Sequence, residues 1–262
     1  MESEPVHEPM PEPPGAAEPQ NFFSCLGGVY SSPAATFGAM GRSPQVLVPI
    51  IALVVIGLLL GYFMVQKIDM GALAVDQLEQ QVAKGRITQE QFDQLKQRVA
   101  ASPQYRTVIS IPIQFLLLVL VIAGIAKLVS GTFLGAENRF KAIFSVTLFA
   151  WIAVSIVYYA LFVLILYLKN PADITASNVN SLVASNLGAW IAGILGDDGS
   201  PGFLIRLAGW IDIFAIWKIV LLAIGYSAVS RKLKTATAAA WLGAIYGVIA
   251  IIGSAVGSLL GQ

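Results

Sequence analysis

The stretch IDIFAIWKIVLLAIGYSAV, residues 211–229, decides the fold. A helix needs about 20 residues to cross roughly 30 Å of hydrocarbon, and this run has that length despite the charges of Asp212 and Lys218. Read as a span, it is the fourth of five, the others covering Val46–Val65, Val108–Ser130, Ala142–Leu168 and Ala236–Leu260. An odd number of crossings places the two chain ends on opposite sides of the membrane. Composition agrees with spans: 56% of the 262 residues are hydrophobic, 12% are charged and the mean hydropathy is +0.75, whereas soluble domains carry about 25% charge. The alternating polarity of membrane strands is absent, and backbone polar groups in lipid must be satisfied within their own segment. The expected fold class is therefore all-α: a polytopic helical membrane protein with five transmembrane helices.

Outside the spans, residues 1–20 combine six prolines with five glutamates and almost no large apolar side chain. Such a composition cannot offset the entropy of ordering and reads as a disordered tail ahead of a membrane domain over 21–262. Residues 68–101 carry helix punctuation: Leu73, Leu78 and Val82 share a face, Gly85 suits a left-handed cap, and Thr88 with Gln91 forms a capping box before Phe92, Leu95 and Val99. A helical hairpin insertion is expected there. Residues 174–196 are moderately apolar but studded with Asn and Ser, ending at Asp197-Asp198-Gly199, and read as an interfacial stretch. A single cysteine, Cys25, excludes a disulfide within one chain, and a single histidine, His7, leaves no Cys/His metal site. No cofactor and no nucleic-acid partner is expected.

The segment 21–42, beginning NFFSCLGGVYSSPAATF, is too interrupted to span and too apolar for water. On a helix Phe22, Phe23, Leu26, Val29 and Tyr30 share a face, and Pro33 breaks the helix. The expectation is an amphipathic segment lying in the interface. Basic residues on the two sides nearly balance, so orientation rests on the short SRKLK turn, residues 230–234, which places the N-terminus in the cytoplasm.

Ser32-Pro33, Phe37, and Pro44 and Pro49 heading the first span resemble the bacterial branch of the Yip family, named for interaction with Rab-type GTPases in eukaryotes. The run WIDIFAIWKIVLLAIGYSAVSRKLKTATA is similar to that family's fourth span, through Asp212, Phe214 and Trp217, Ile224-Gly225 and the basic turn. The resemblance covers Phe22 to Leu260 and implies five spans, a cytoplasmic N-terminus, a C-terminus on the opposite side and, for a bacterial chain, the plasma membrane. The Asp-Leu-Tyr-Gly-Pro element of the eukaryotic branch is not found, so Rab binding is not implied.

Charges inside spans are costly and mark candidate sites, here Asp212 and Lys218. Separated by six positions, they do not share a helix face. Two readings stand: a polar site between helices, or a carboxylate at the helix N-terminus with Lys218 snorkelling to headgroups beside Trp210 and Trp217. Gly57 with Gly61, Gly243 with Gly247, and Gly253 with Gly257 recur at a four-residue step that lets helices pack closely. No catalytic constellation is evident. The sequence therefore points to a non-catalytic scaffold or membrane-organising protein, with the lipid bilayer, other membrane proteins or a second copy of the chain as partners. The alternative is a small-solute transporter or channel using Asp212, Lys218, Asn178, Asn180 and Asn186. Neither inverted repeats nor broken spans in matching positions are evident to favour it.

Overall fold

A computed structural model describes residues 21–102, 105–175, 178–195 and 202–259. The Pro/Glu-rich stretch 1–20 and the Asp197-Asp198 turn lie outside the described residues. The described elements are helices, without a strand among them. Four are long and apolar enough to cross a membrane: α3 (Leu47–Lys67), α6 (Tyr105–Leu128, continued by a π-helical turn to Phe133), α7 (Phe140–Leu168) and α11 (Thr235–Leu259). Helix α10 (Ile213–Val229), the fourth expected span, has 17 residues, at the short end of what a crossing needs.

Helix α7 is the axis of the bundle, because every residue from Ser145 to Ser155 is buried. A helix apolar all round can be enclosed all round. Helix α3 marks the membrane's depth on it. Just before α3 begins, Gln45 accepts a hydrogen bond from Ser145 through its carbonyl (2.7 Å). At the end of α3, the Lys67 ammonium sits 5.5 Å from the Tyr167 ring centroid. Ser145 and Tyr167 lie about 33 Å apart along a helix rising 1.5 Å per residue, close to the thickness of a hydrocarbon core. The end at Ser145 is the turn face, where the exposed Glu137 pairs with Arg231 (3.7 Å) and Lys232 (3.8 Å). The other end carries the helical hairpin α4 (Met70–Ala83) and α5 (Gln89–Ala100), whose Thr88–Gln91 capping box is formed and whose Gly85 has φ +67°.

Glycines make the closest backbone contacts. A Cβ on Gly57 would lie 2.8 Å from Pro112 Cα, and one on Gly61 would lie 2.7 Å from Val108 Cα, so α3 and α6 touch backbone to backbone. Gly243 has nothing within 4 Å of such an atom. Gly61→Leu is therefore expected to cost about 1–3 kcal/mol by overpacking. Gly243→Leu should leave thermal unfolding of the detergent-solubilised protein unchanged.

The N-terminal segment departs from the interfacial expectation. Helices α1 (Phe22–Ser31) and α2 (Pro33–Arg42) form a hairpin wedged into the bundle from the turn face. At its tip, Tyr30 Oη donates to the carbonyl of Ala153 (2.7 Å), about 12 Å deeper along α7 than Ser145. Small residues admit it. A Cβ on Gly28 would strike Thr36 Oγ1, and the fully buried Phe37 ring lies over Gly225, 3.1 Å from where its Cβ would be.

The described residues of the stretch expected over 174–196 to lie along the interface, or to dip shallowly into it, reach further into the bundle. Helix α8 (Leu187–Leu195) packs on α9 (Phe203–Gly209), a Cβ on Gly188 falling 2.6 Å from both Gly209 N and Ile205 O. Helix α9 lies on the C-terminal half of α11, with the Trp210 ring over Gly253 and Arg206 over Gly257. Chain direction along α11 puts the α8–α9 pair in the half of the bundle nearer the hairpin face. The fourth crossing is thus made by α9 and α10 together, broken at Trp210–Asp212.

Candidate functional site

The break lies deep in the bundle. Phe214, two residues beyond Asp212, meets the Tyr158 ring edge-on at 5.2 Å, and Tyr158 is about 14 Å along α7 from the Tyr167 level and about 20 Å from the Ser145 level. Non-helical backbone survives at such depth only when its polar groups find partners in the protein. Here they do. Ile211 O accepts from Leu187 N (3.0 Å), Ser185 O from Ile213 N (3.3 Å) and Trp210 O from Tyr246 Oη (2.7 Å). Asn186 and Asp212 face each other in an antiparallel bridge, each closing a helix start. Asn186 Oδ1 accepts from Ala189 N (2.8 Å), and Asp212 Oδ1 accepts from Phe214 N (2.8 Å) and Ala215 N (2.9 Å). The Ser185 hydroxyl donates to Asp212 Oδ2. Helices α8 and α10 therefore begin at one point and run toward opposite faces. Their positive dipole ends support the half-buried carboxylate.

Beside this junction lies a cavity of about 310 Å³, lined by Ser155, Tyr158 and Tyr159 of α7, Ser181, Ser185 and Asn186 of the ingoing segment, Asp212 and Lys218 of the broken span, and Tyr246 of α11. Lys218 Nζ stands 3.7 Å from the centroid of the Trp151 ring, a contact worth about 2 kcal/mol when desolvated. It makes no hydrogen bond or ion pair with another described residue, Asp212 included. Asp212 is thus supplied with donors, whereas the ammonium has only a ring face and the cavity.

Of the sequence candidates, Asp212 and Lys218 line one cavity although their positions share no helix face. Phe214 joins them as a wall. Trp217 stacks toward Tyr30 (6.0 Å), and with Ser32, Pro33, Phe37 and Gly225 it belongs to the seat of the α1–α2 hairpin. Ser32 precedes α2 without a side-chain cap bond. Gly57, Gly61, Gly253 and Gly257 carry close contacts within the chain; Gly243 and Gly247 face none. Asn186 enters the site, Asn178 is occupied locally with Thr175 N and Asp173 O, and the side chain of Asn180 lies outside the described residues. The residues missed are Trp151, Ser155, Tyr158, Tyr159, Ser185 and Tyr246. Ser155, Tyr158 and Tyr159, at i, i+3 and i+4, form a polar face on an apolar helix, and that signal was present in the sequence.

No curated protein and no solved structure matches this chain. The Yip1 domain matches residues 27–257, from within α1 to the last turns of α11. The chain accordingly belongs to the Yip1 family of membrane proteins.

Proposed function

We propose that this Yip1-family protein is a non-catalytic membrane protein that binds a small polar solute at the centre of its bundle, in the manner of a transporter or channel. The observation that carries this reading is the break at Trp210–Asp212, which opens the backbone of a crossing helix beside a cavity of about 310 Å³ holding Lys218. Discontinuous helices whose half-helix ends meet near the bilayer midplane are where transporters place substrates. An intramembrane ionisable group is a functional candidate by default. The unengaged charge is the ammonium, so the preferred solute carries a carboxylate or similar anion and occupies no more than the cavity's volume.

The test is uptake of small radiolabelled carboxylates and amino acids into proteoliposomes of the full chain. Saturable uptake of at least one is expected, reduced tenfold or more by Lys218→Met. Uptake indistinguishable from empty vesicles across the set, or unchanged in Lys218→Met, refutes the reading. The membrane-organising alternative has its own observation, the outward step of Gly243 and Gly247. It predicts that Gly243→Leu abolishes crosslinking to a partner helix without touching uptake.

A further inference from the structure

A second cavity opens on the turn face, away from the Lys218 site. It encloses about 910 Å³ between the start of α1, the end of α2, the loop into α3 and the first turn of α7. Its lining combines two cations, Arg42 and Lys141, with the apolar Phe22, Met40 and Val46; no carboxylate is among the residues that line it. Both cations are exposed, and neither makes an ion pair with a described residue. The same holds for Arg139 and Lys234 on this face, because Glu137, the carboxylate described there, is taken by Arg231 and Lys232. The turn face is therefore rich in cations and short of counter-charge.

Asn21 also lines this cavity, and the described chain begins with it. Its side chain caps α1 by accepting from Ser24 N (2.8 Å), so residues 1–20 join the protein at the cavity's rim. Those residues carry five glutamates, six prolines and neither lysine nor arginine. We propose that this acidic, proline-rich segment of the chain occupies the turn-face groove, with its carboxylates on Arg42 and Lys141. Proline brings no amide donor that burial would leave unpaired, and a proline-rich chain is pre-set to the extended form that apolar grooves accept at low entropic cost. At about 3.1 Å per residue, Glu18 reaches roughly 9 Å and Glu12 roughly 28 Å from Asn21, which brings both within range of cations lining the same cavity. A tethered segment also acts at an effective concentration in the millimolar range, above that of a free acidic peptide. A singly charged lipid headgroup would answer one of the two cations, whereas Glu12 and Glu18 answer both.

Occupancy is measured on the full chain with a carbodiimide, which joins a carboxylate directly to a lysine Nζ, followed by peptide mass spectrometry. Glu12 or Glu18 is expected to link to Lys141 at least about fivefold more than to Lys232 or Lys234. Arg42→Gln should lower that link about threefold or more, and so should added salt, which screens exposed charges; Lys96→Gln, on the opposite face, should leave it unchanged. An equal mixture of isotope-labelled and unlabelled chains should give links within one isotope. The proposal is overturned if Lys141 forms no link to residues 1–20, or links no more than Lys232 and Lys234 do. Links that join the two isotopes at the random fraction also overturn it, by assigning the segment to a second copy. So do links that form in detergent and vanish in phosphatidylglycerol vesicles, which give the groove to a headgroup. Failure here leaves the Lys218 reading untouched, since the two cavities share no residue.

Discussion

Asp212→Ala is expected to destabilise the protein by about 2–4 kcal/mol. The substitution strips the α10 start of its cap, worth roughly 0.5–2 kcal/mol. It also leaves the Ser185 hydroxyl and the amides of Phe214 and Ala215 without the acceptor they now share, at about 1–3 kcal/mol for a buried group left unpaired. Asp212→Asn keeps an acceptor for both amides and offers Ser185 Oγ a donor, so its loss should be less than half as large. Thermal unfolding in a mild detergent, followed by helical circular dichroism, ranks the pair. Equal stability of Asp212→Ala and wild type would mean that Asp212 does not hold the break together. A charge sitting loosely among headgroups would show that behaviour.

Gly188→Leu is expected to be at least as damaging, about 3 kcal/mol or more. The atoms a side chain would meet are the amide nitrogen and Cα of Gly209 and the carbonyl of Ile205, all within 2.7 Å of the added Cβ. These are backbone atoms and cannot rotate aside, so α8 and α9 must separate. Gly193, on the same helix, has nothing within 4 Å, and Gly193→Leu should be neutral. Protease sensitivity between α8 and α9 checks both: rapid cleavage in Gly188→Leu is expected, and matched rates in the two variants would show that the helices are not in contact.

Helix positions were legible because length and apolar content are local properties. The Thr88–Gln91 box was legible for the same reason, being a short-range pattern with one geometric meaning, whereas the four-residue glycine step was not: Gly57 and Gly61 meet α6, and Gly243 and Gly247 face nothing within the chain. Depth was not. FFSCLGGVYS and LGAWIAGIL look alike whether they lie along an interface or enter the bundle, since periodicity reports which face is apolar and not what covers it. Gly28, Gly188 and Gly225 decide the matter, and their partners Thr36, Gly209 and Phe37 are contacts a single sequence does not reveal. Asp212 was readable as a helix start. That this start lies beside Tyr158, far from either membrane face, follows from α9 crossing the remaining distance. The site was legible to the extent of its two charges, whereas Ser155, Tyr158, Tyr159 and Tyr246 come from two other helices and meet only in the fold.

The central claim is that the chain between Lys169 and Gly202 enters and leaves the bundle by one face, and that the broken α9–α10 helix then crosses. Single cysteines at Lys169, Gly202 and Lys232, in a Cys25→Ser background reconstituted in oriented vesicles, measure it with an impermeant maleimide. Labelling of Lys169→Cys and Gly202→Cys from the same side, with Lys232→Cys labelled only from the other, is the predicted result. Labelling of Lys169→Cys and Gly202→Cys from opposite sides would show that α8 crosses by itself and would contradict the account.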